Sequence, residues 1–292
     1  MKLHVLVYVD DLIIAGNNSG VVATFKKYLS WCFFMKDLGV LKYFLGVEVA
    51  RSQEGIFLSQ RKYALDIISK TSLLGSKPVG FPMEQNQKMA SSTSALLKDS
   101  ERYRRLVAAL RVVKYLKGCP GQGILLSSQS TLKLSGWCDF VWASCPITRR
   151  SLSGWIVSLG DSHVSWKTKK HATMSRSSAE AEYWSMAVLT CELKWLRRLL
   201  RCFGVFHTGA AELFCDSQFA LHLAQNPVFH ECTKHIEINC HFLRDAVLDG
   251  IIRMTHVSTT NQLADIFTKA LGKRQFHFLL HKLGILDLHA PT

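Results

Sequence analysis

Apolar and turn-forming residues alternate in the first part of the chain. Residues 4–8 and 12–15 are rich in Val, Leu and Ile, and they flank Asp10 and Asp11 before a turn begins at Gly16. This pattern predicts a strand–turn–strand hairpin with both aspartates near the bend. The same reasoning predicts helices over 21–34, 61–71 and 102–116, a second hairpin over 41–50 and 55–59, and a polar linker over 75–100.

The second part of the chain has longer apolar runs. The sequence Ser177-Ser-Ala-Glu180 is a capping box and predicts the start of the longest helix. Strands are predicted over 132–140, 152–159, 163–167, 211–215 and 251–257, and helices over 178–200, 217–224, 235–248 and 261–271. Three strands, a long helix and then strand–helix units predict an α/β fold with a mixed sheet and flanking helices. The main boundary is expected within 118–130.

The net charge of the chain indicates a class of binding partner. The 292 residues include 36 Lys and Arg against 22 Asp and Glu, a net charge of +14. Such an excess favours a polyanionic partner, nucleic acid first, and the alternative is a basic solvated face without any partner. No apolar run is long enough to span a bilayer, and Asp10 and Asp11 interrupt the region that would resemble a signal peptide. Nine cysteines without a C-x-x-C pair suit free thiols. We therefore expect an intracellular protein, cytoplasmic or nuclear.

Carboxylates at predicted strand ends and helix starts are the candidates for chemistry. Asp139 and Asp216 end strands, Glu182 lies one turn into the long helix, and Asp265 lies in the first turn of the last helix. If they converge at one sheet edge, their mutual repulsion requires hard divalent cations such as Mg²⁺. Two such ions about 4 Å apart support phosphodiester cleavage. The alternative, four unrelated carboxylates of which two merely favour helix starts, stays open on spacing alone.

A family resemblance adds to this reading. From Leu134 to about Leu271, the stretches GWCDFVWASCPITRRSLSGW, VSWKTKKHATMSRSSAEAEY, FCDSQFAL, NPVFHECTKHIEI and HVSTTNQLADIFTKAL resemble the ribonuclease H domain of copia-type retrotransposon polyproteins. The resemblance implies a ribonuclease H-like mixed sheet. It also implies magnesium-dependent cleavage of the RNA strand of an RNA–DNA hybrid, with two Mg²⁺ ions for which Mn²⁺ can substitute, and no small-molecule cofactor.

The resemblance also assigns roles to individual residues. Asp139, Glu182, Asp216 and Asp265 match the four metal ligands, with Glu180 as a near neighbour that is easily mistaken for one. His256 matches a mobile histidine that helps to release product, and its alternative is an ordinary surface histidine. The family's first motif reads Asp-x-Asp-Trp-Ala-Gly, whereas Val141 and Ser144 stand here at the second carboxylate and the glycine. These two departures put the strength of the metal site in doubt.

Basic and polar residues near the expected site are candidates for holding the hybrid. Contacts of this kind bind phosphates without reading sequence, and polar groups beside the third carboxylate could reach an RNA 2′-hydroxyl. The candidates are Arg149, Arg150, Lys167, Lys169, Lys170, Arg176, Ser217, Gln218 and Lys234. A rival zinc site would use His230, Cys232, His235, Cys240 and His241, but their spacing matches no common zinc pattern.

The first part of the chain resembles a reverse transcriptase. Tyr8-Val9-Asp10-Asp11 on a predicted hairpin is a polymerase motif, and LVYVDDLIIAG, MKDLGVLKYFLGVEV, GIFLSQRKYALDII and ERYRRLV resemble the copia-type enzyme. The family's earlier strand with a further metal-binding aspartate is absent from these residues, which implies lost polymerase activity. A family segment of a few tens of residues is also missing where Val107 runs into Ala108.

These observations divide the chain into four expected regions. Residues 1–107 are expected to be a truncated reverse-transcriptase palm and thumb, and 108–130 a shortened connection. Residues 131–273 are the expected ribonuclease H domain, and 274–292 a C-terminal tail helix. We expect the first region to lack packing partners and a protease-resistant core to begin between 118 and 133. The competing interpretation is a catalytically decayed, nucleic-acid-binding remnant.

Overall fold

The computed structural model describes residues 1–85, 100–145, 148–175, 177–218, 221 and 237–288. The first part contains the strands β1 (Leu3–Tyr8), β2 (Asp11–Gly16), β3 (Tyr43–Phe44), β4 (Val47–Arg51) and β5 (Gly55–Ser59), and the helices α1 (Ser19–Cys32) and α2 (Arg61–Lys70). β1 and β2 pair antiparallel as the predicted hairpin, with Tyr8 opposite Asp11. Asn18 caps α1, because its side chain accepts hydrogen bonds from the Gly20 and Val21 amides at 2.9 and 3.2 Å.

The remaining elements follow in chain order. They are α3 (Ser100–Gly118), β6 (Gln122–Ser127), β7 (Leu134–Val141), β8 (Leu152–Leu159), β9 (Ser162–Lys170), α4 (Ser178–Cys202), β10 (Ala211–Cys215), α5 (Glu237–Leu248), β11 (Ile252–His256), the 3-10 helices Thr259–Asn261 and Leu263–Phe267, α6 (Lys273–Lys282) and β12 (Ile285–Asp287). The described helices include none that is long and apolar enough to cross a membrane.

The sheet that positions the candidate site has the strand order β11-β10-β7-β8-β9. β7, β8 and β9 are antiparallel neighbours, whereas β10 runs parallel to both β7 and β11. Parallel β7, β10 and β11 place their carboxyl ends at one edge, which gathers the side chains that follow them. The mixed α/β sheet with flanking helices predicted from the sequence is therefore confirmed.

Helices cover both faces of this sheet. On one face, α4 and α5 bury a core that includes Leu134, Tyr183, Leu189, Leu213 and Leu243. On the other face, Leu263 of a 3-10 helix and Leu279 of α6 pack against Ile156. Ser177 begins α4 as the capping box predicts, since its hydroxyl accepts a hydrogen bond from the Glu180 amide at 3.1 Å.

A second sheet joins distant parts of the chain in the order β12-β6-β5-β4-β3. Its strand β6 lies between β5 of the first part and β12 near the C-terminus, and Ile124 is opposite both Leu58 and Ile285. The Ser127 amide donates a hydrogen bond to Ser162 of β9 at 3.0 Å, which links the two sheets. The three boundaries between these regions remain predictions, and strand pairing joins the first region to the second and the second to the last.

One sequence expectation needs correction, and one strand was not predicted. The predicted helix over 261–271 is wrong, because short 3-10 helices stand there and the final helix is α6. Residues 118–130 contain the unpredicted strand β6, and the domain boundary expected there stays a prediction. The predicted tail helix is present as α6, and the strand β12 follows it. The predicted helix over 217–224 and the linker over 75–100 lie partly outside the described residues.

Candidate metal centre

The structure brings the four sequence-predicted carboxylates together at the carboxyl edge of the sheet. Asp139 lies near the end of β7, Asp216 directly follows β10, Glu182 lies on α4, and Asp265 lies in the 3-10 helix Leu263–Phe267. Carboxylate oxygens of Asp139, Asp216 and Asp265 lie within 4.8 Å of one another. Glu182 joins through Asp216, because their oxygens and the Cys215 sulfur form a second group within the same limit.

Hydrogen bonds from uncharged side chains orient three of these carboxylates. Thr268 Oγ1 donates to Asp139 Oδ2, and Thr259 Oγ1 donates to Asp216 Oδ2 at 3.2 Å. The Cys215 thiol donates to Glu182 Oε1 at 3.3 Å. The candidate ligands are therefore held by neighbouring groups before any cation is considered.

The segment after β11 is anchored to the sheet by a buried amide. Gln262 is fully buried, and its Nε2 donates to the Cys138 carbonyl at 3.0 Å while its Oε1 accepts from the Ala264 amide at 3.2 Å. This pair of hydrogen bonds ties the 3-10 helix that carries Asp265 to the strand that carries Asp139. Gln262 thus positions two candidate ligands relative to each other.

A glycine allows this segment to approach closely. Gly154 of β8 is the register partner of Asp139, and a Cβ atom at Gly154 would lie 2.7 Å from Phe267 Cβ and 2.8 Å from Thr268 Cγ2. Only a residue without a side chain leaves room for the backbone at this point. The 3-10 segment can therefore lie against the sheet and place Thr268 beside Asp139.

Burial makes negative charge costly in this cluster. Burial raises the pKa of Asp139 and of Glu182, and the Asp216 carboxylate adds to both shifts. Burial, together with the Asp139 charge, raises the pKa of Asp265 to about 6 despite the opposing ion pair with Lys269. A site of clustered oxygen ligands whose ionised forms are destabilised fits a hard divalent cation, which would stabilise all of those charges together.

Lys269 supplies a positive charge to the same cluster. Its Nζ lies 2.8 Å from Asp265 Oδ1 and 3.2 Å from Asp139 Oδ1. Burial alone would lower the pKa of Lys269, but the two carboxylates outweigh burial and raise it. Sequence reasoning did not single out Lys269, Thr268, Gln262 or Gly154. The spacing of four between Asp265 and Lys269 was a usable signal for an ion pair.

The other predicted residues occupy different positions. His256 ends β11, is exposed, and is opposite Cys215 in the sheet register, next to Asp216. Ser217 hydrogen-bonds the Glu182 side chain and Gln218 is exposed. Exposed side chains include those of Arg149, Arg150, Lys167, Lys169 and Lys170, whereas Arg176 and Lys234 lie outside the described residues.

Neighbouring aromatic rings support part of this basic surface. Lys169 Nζ lies 5.3 Å from the ring centroid of Trp184, and the Arg149 guanidinium lies 5.9 Å from that of Trp142. Trp166 on the edge strand β9 is 48% exposed. The surface thus combines cations with accessible rings.

The two departures from the family motif sit beside the site. Val141 is the last residue of β7 and is partly buried. The exposed Ser144 donates a hydrogen bond to the Arg150 carbonyl at 3.3 Å. Neither side chain is among the groups that could hold a metal in the described residues.

The zinc alternative falls mostly on residues outside the described part of the chain, and among the described residues the polymerase aspartates form no comparable group. His230, Cys232 and His235 lie outside the described residues, while Cys240 is buried in the core and His241 is exposed. Asp10 and Asp11 are exposed at the turn between β1 and β2. In the described part of the chain, the groups suited to a metal ion are those around Asp216.

Comparisons with known proteins identify relatives of this chain. Residues 1–85 match the family described as reverse transcriptase (RNA-dependent DNA polymerase). The chain is 36% identical to the retrovirus-related Pol polyproteins from transposons RE2 and RE1 of Arabidopsis thaliana, over 98% and 97% of its length and 22% of theirs. It thus spans about a fifth of the length of these curated relatives.

A solved structure is also similar to this chain. The crystal structure of RNase H1 from Halobacterium salinarum is 18% identical and has a TM-score of 0.35, covering 46% of this chain and 93% of that one.

The alignment with RE2 runs over 319 positions, so at least 27 of them have no counterpart among the 292 residues here. On the sequence comparisons, the chain belongs to the family of copia-type retrotransposon Pol polyproteins.

Proposed function

We propose that this protein is a metal-dependent endonuclease that cleaves the RNA strand of RNA–DNA hybrids. The observation that carries the proposal is the convergence of Asp139, Asp216 and Asp265 within 4.8 Å, with Glu182 joined through Asp216. Membership of a Pol polyprotein family supports a nucleic-acid substrate. The net charge of +14 favours the same class of partner.

The four carboxylates would hold Mg²⁺, as two ions, and Mn²⁺ could replace it. Such ions would supply an activated water and would stabilise the leaving oxygen, so that the cleaved RNA would carry a 3′-hydroxyl. The protein's own contribution is to hold the oxygens in place. Thr259 orients Asp216, Thr268 orients Asp139, and the Cys215 thiol orients Glu182.

Substrate binding is proposed for the exposed cations near this edge of the sheet. Lys167 and Lys169 lie two residues apart on the edge strand β9, so their side chains share one face and can contact phosphates together, whereas Trp166 lies on the opposite face. Arg149 and Arg150 extend this surface from the loop after β7. His256 is proposed to aid product release from its exposed position beside the carboxylates.

Polymerase activity is proposed to be lost from a chain of residues 1–292. Asp10 and Asp11 are exposed on a hairpin of two strands, and neither belongs to a group of described residues suited to hold a metal. Two-metal catalysis needs several ligands that converge on the ions. The hairpin alone offers two adjacent carboxylates at a turn.

A second candidate function is nucleic-acid binding without turnover. The observation that favours it is Val141, which ends β7 where the family motif has a second carboxylate. In this alternative the basic surface persists while the metal site is too weak for catalysis. The two candidate functions involve the same fold and the same net charge, and a measurement of RNA cleavage distinguishes them.

A cleavage assay with the full chain tests both candidates. Labelled RNA–DNA hybrid, single-stranded RNA, duplex RNA and duplex DNA are incubated with the protein in Mg²⁺, Mn²⁺ or EDTA. We expect cleavage of the hybrid RNA alone, and only with metal. Asp139→Asn and Glu182→Gln should reduce the rate more than about 100-fold, because each removes a metal ligand that supplies several kcal/mol.

Glu180→Gln is the matched control, since Glu180 lies on the same helix two residues from Glu182. It should cleave at nearly the parent rate. Parent protein that binds hybrid but never cleaves it would favour the second candidate. An Asp139→Asn variant that cleaves as fast as its parent would show that the site assignment is wrong.

A further inference from the structure

Lys269 contacts two candidate metal ligands at once. Its Nζ lies 2.8 Å from Asp265 Oδ1 and 3.2 Å from Asp139 Oδ1. Those carboxylate side chains are 4% and 3% exposed, whereas the Lys269 side chain is 32% exposed. One partly exposed ammonium therefore bridges two buried carboxylates.

The Lys269 ammonium compensates for the negative charge of the two buried carboxylates in the folded protein. Buried carboxylates close to each other repel, and each loses its hydration, so the cluster requires a nearby positive charge. The Thr268 hydroxyl already binds the second oxygen of Asp139, which leaves Oδ1 for a cation. Lys269 satisfies this requirement from within the chain, four residues after Asp265.

The same oxygens are those that a divalent cation would use. An ammonium nitrogen at hydrogen-bond distance from both Oδ1 atoms competes with a metal ion for those atoms, because the two cations repel each other and share the same ligands. A lysine side chain is a point charge on a flexible stem, so it can turn toward solvent without moving the backbone. The partial exposure of Lys269 provides that route.

We propose that Lys269 is a positioning residue, an internal counter-cation that holds Asp139 and Asp265 in place and exchanges with Mg²⁺. Its charge then sets the affinity of the site for the metal. This inference rests on the proposed metal-dependent function and deepens it. It requires no change in the fold, because only a side chain leaves the carboxylates.

Metal titration of the full chain tests the exchange directly. Binding of Mg²⁺ is measured by calorimetry, and thermal unfolding is measured in EDTA and in Mg²⁺. Lys269→Met keeps the length of the side chain and removes its charge, so Mg²⁺ should bind about tenfold more tightly. In EDTA the variant should unfold at a lower temperature than the parent, and Mg²⁺ should raise that temperature more.

Two further variants separate charge from shape. Lys269→Arg retains the positive charge and should bind Mg²⁺ with nearly the parent affinity. Lys282→Met removes a lysine of α6 that contacts Asn261, 2.7 Å away, and should also behave like the parent. Lys269→Gln is the second uncharged variant if Lys269→Met fails to fold, and it should show the same tighter binding.

The outcomes distinguish this inference from the proposed function. If the parent binds Mg²⁺ and the uncharged variants bind equally or more weakly, the exchange is refuted and the metal site stands. Tighter binding by Lys269→Arg to the same extent would also refute it, because shape and not charge would be responsible. If neither the parent nor the uncharged variants bind Mg²⁺, the exchange and the metal-dependent function both fail.

Discussion

Gly154 provides a sharp test of how the candidate site is assembled. It is the register partner of Asp139, and a Cβ atom there would lie 2.7 Å from Phe267 Cβ and 2.8 Å from Thr268 Cγ2. Carbon atoms prefer separations of about 3.5–4.0 Å, so Gly154→Ala must push the 3-10 segment away by about 1 Å. That shift would carry Thr268, Asp265 and Lys269 away from Asp139.

Gly154→Ala is expected to lower both the stability of the protein and its rate of cleavage. Overpacking a well-packed site costs about 1–3 kcal/mol of stability. A displacement of about 1 Å at a catalytic group can reduce the rate about 100-fold. We therefore expect Gly154→Ala to unfold at a lower temperature and to cleave hybrid far more slowly, even where it is fully folded.

Gly136→Ala is the matched control for this prediction. Gly136 lies on β7, and its Cβ would lie 2.8 Å from Leu189 Cδ1, in the core between the sheet and α4. The variant should lose stability while it keeps the cleavage rate per folded molecule. Rates are measured on labelled hybrid at a temperature where circular dichroism shows both variants to be folded. Parent-like cleavage by Gly154→Ala, or an equal loss in Gly136→Ala, would refute the reasoning.

Three other predictions concern stability, the first region and the fold. Burial lowers the pKa of His163, whose Nδ1 lies 2.7 Å from Ser158 Oγ, so the unfolded chain takes up the proton at higher pH than the folded one. The difference in free energy of unfolding between the parent and His163→Gln, measured with urea, should be constant above about pH 6.5 and should shift against the parent as the pH falls below that value. A difference that does not depend on pH would contradict this. Residues 1–292 should not extend a primer on an RNA template with Mg²⁺ or Mn²⁺. If homogeneous protein extends the primer and Asp10→Asn abolishes that extension, the proposal that polymerase activity is lost is wrong. Limited proteolysis should leave a resistant fragment that retains β4 to β6, because β6 pairs with both β5 and β12; a fragment that begins between 118 and 133 would instead support independent folding of the later region.

Local patterns were sufficient to predict much of the fold. The hairpin around Asp10 and Asp11, the cap at Ser177 and the strands of the mixed sheet follow from apolar period and short-range hydrogen bonding. The hairpin, the cap and the strands need only neighbours in sequence and a rule of sheet topology. The set of four carboxylates needed the family resemblance as well, because Glu182 and Asp265 are not on strands and spacing alone left four unrelated carboxylates as an alternative.

Long-range contacts account for what the sequence did not reveal. The apolar spacing over 261–271 suits a helix. The side-chain amide of Gln262, however, hydrogen-bonds the Cys138 carbonyl and the Ala264 amide, and these bonds hold the segment against the sheet as short 3-10 turns. The strand β6 was not predicted, because its partners β5 and β12 lie far away on both sides of it along the chain and the turn-forming residues Gly118 to Gly123 stand at its start. The role of Gly154 depends on Phe267, and no local pattern connects them.

The helix α3 shows how the internal junction can be tolerated. It runs without a break through Val107 and Ala108, where the family resemblance places a missing segment. Its C-terminal half is packed: Tyr115 is buried, contacts the Phe276 ring at 5.5 Å and donates a hydrogen bond to Gln122 at 2.8 Å. In its N-terminal half, Leu106 is 55% exposed. A helix whose ends differ so much in burial is what a junction should produce when one half keeps its partners.

The second sheet then explains why the junction need not separate the two regions. The first part of α3 is poorly covered, but β5 pairs with β6 directly after that helix. β12 pairs with the other edge of β6, so the chain after the carboxylate-bearing sheet returns to the same structure. Because Ser127 of β6 also binds Ser162 of β9, strain at the junction can reach the sheet that carries Asp139. The catalytic proposal and the folding prediction therefore concern one connected structure, and a variant that breaks the β5–β6 pairing should be judged by both assays.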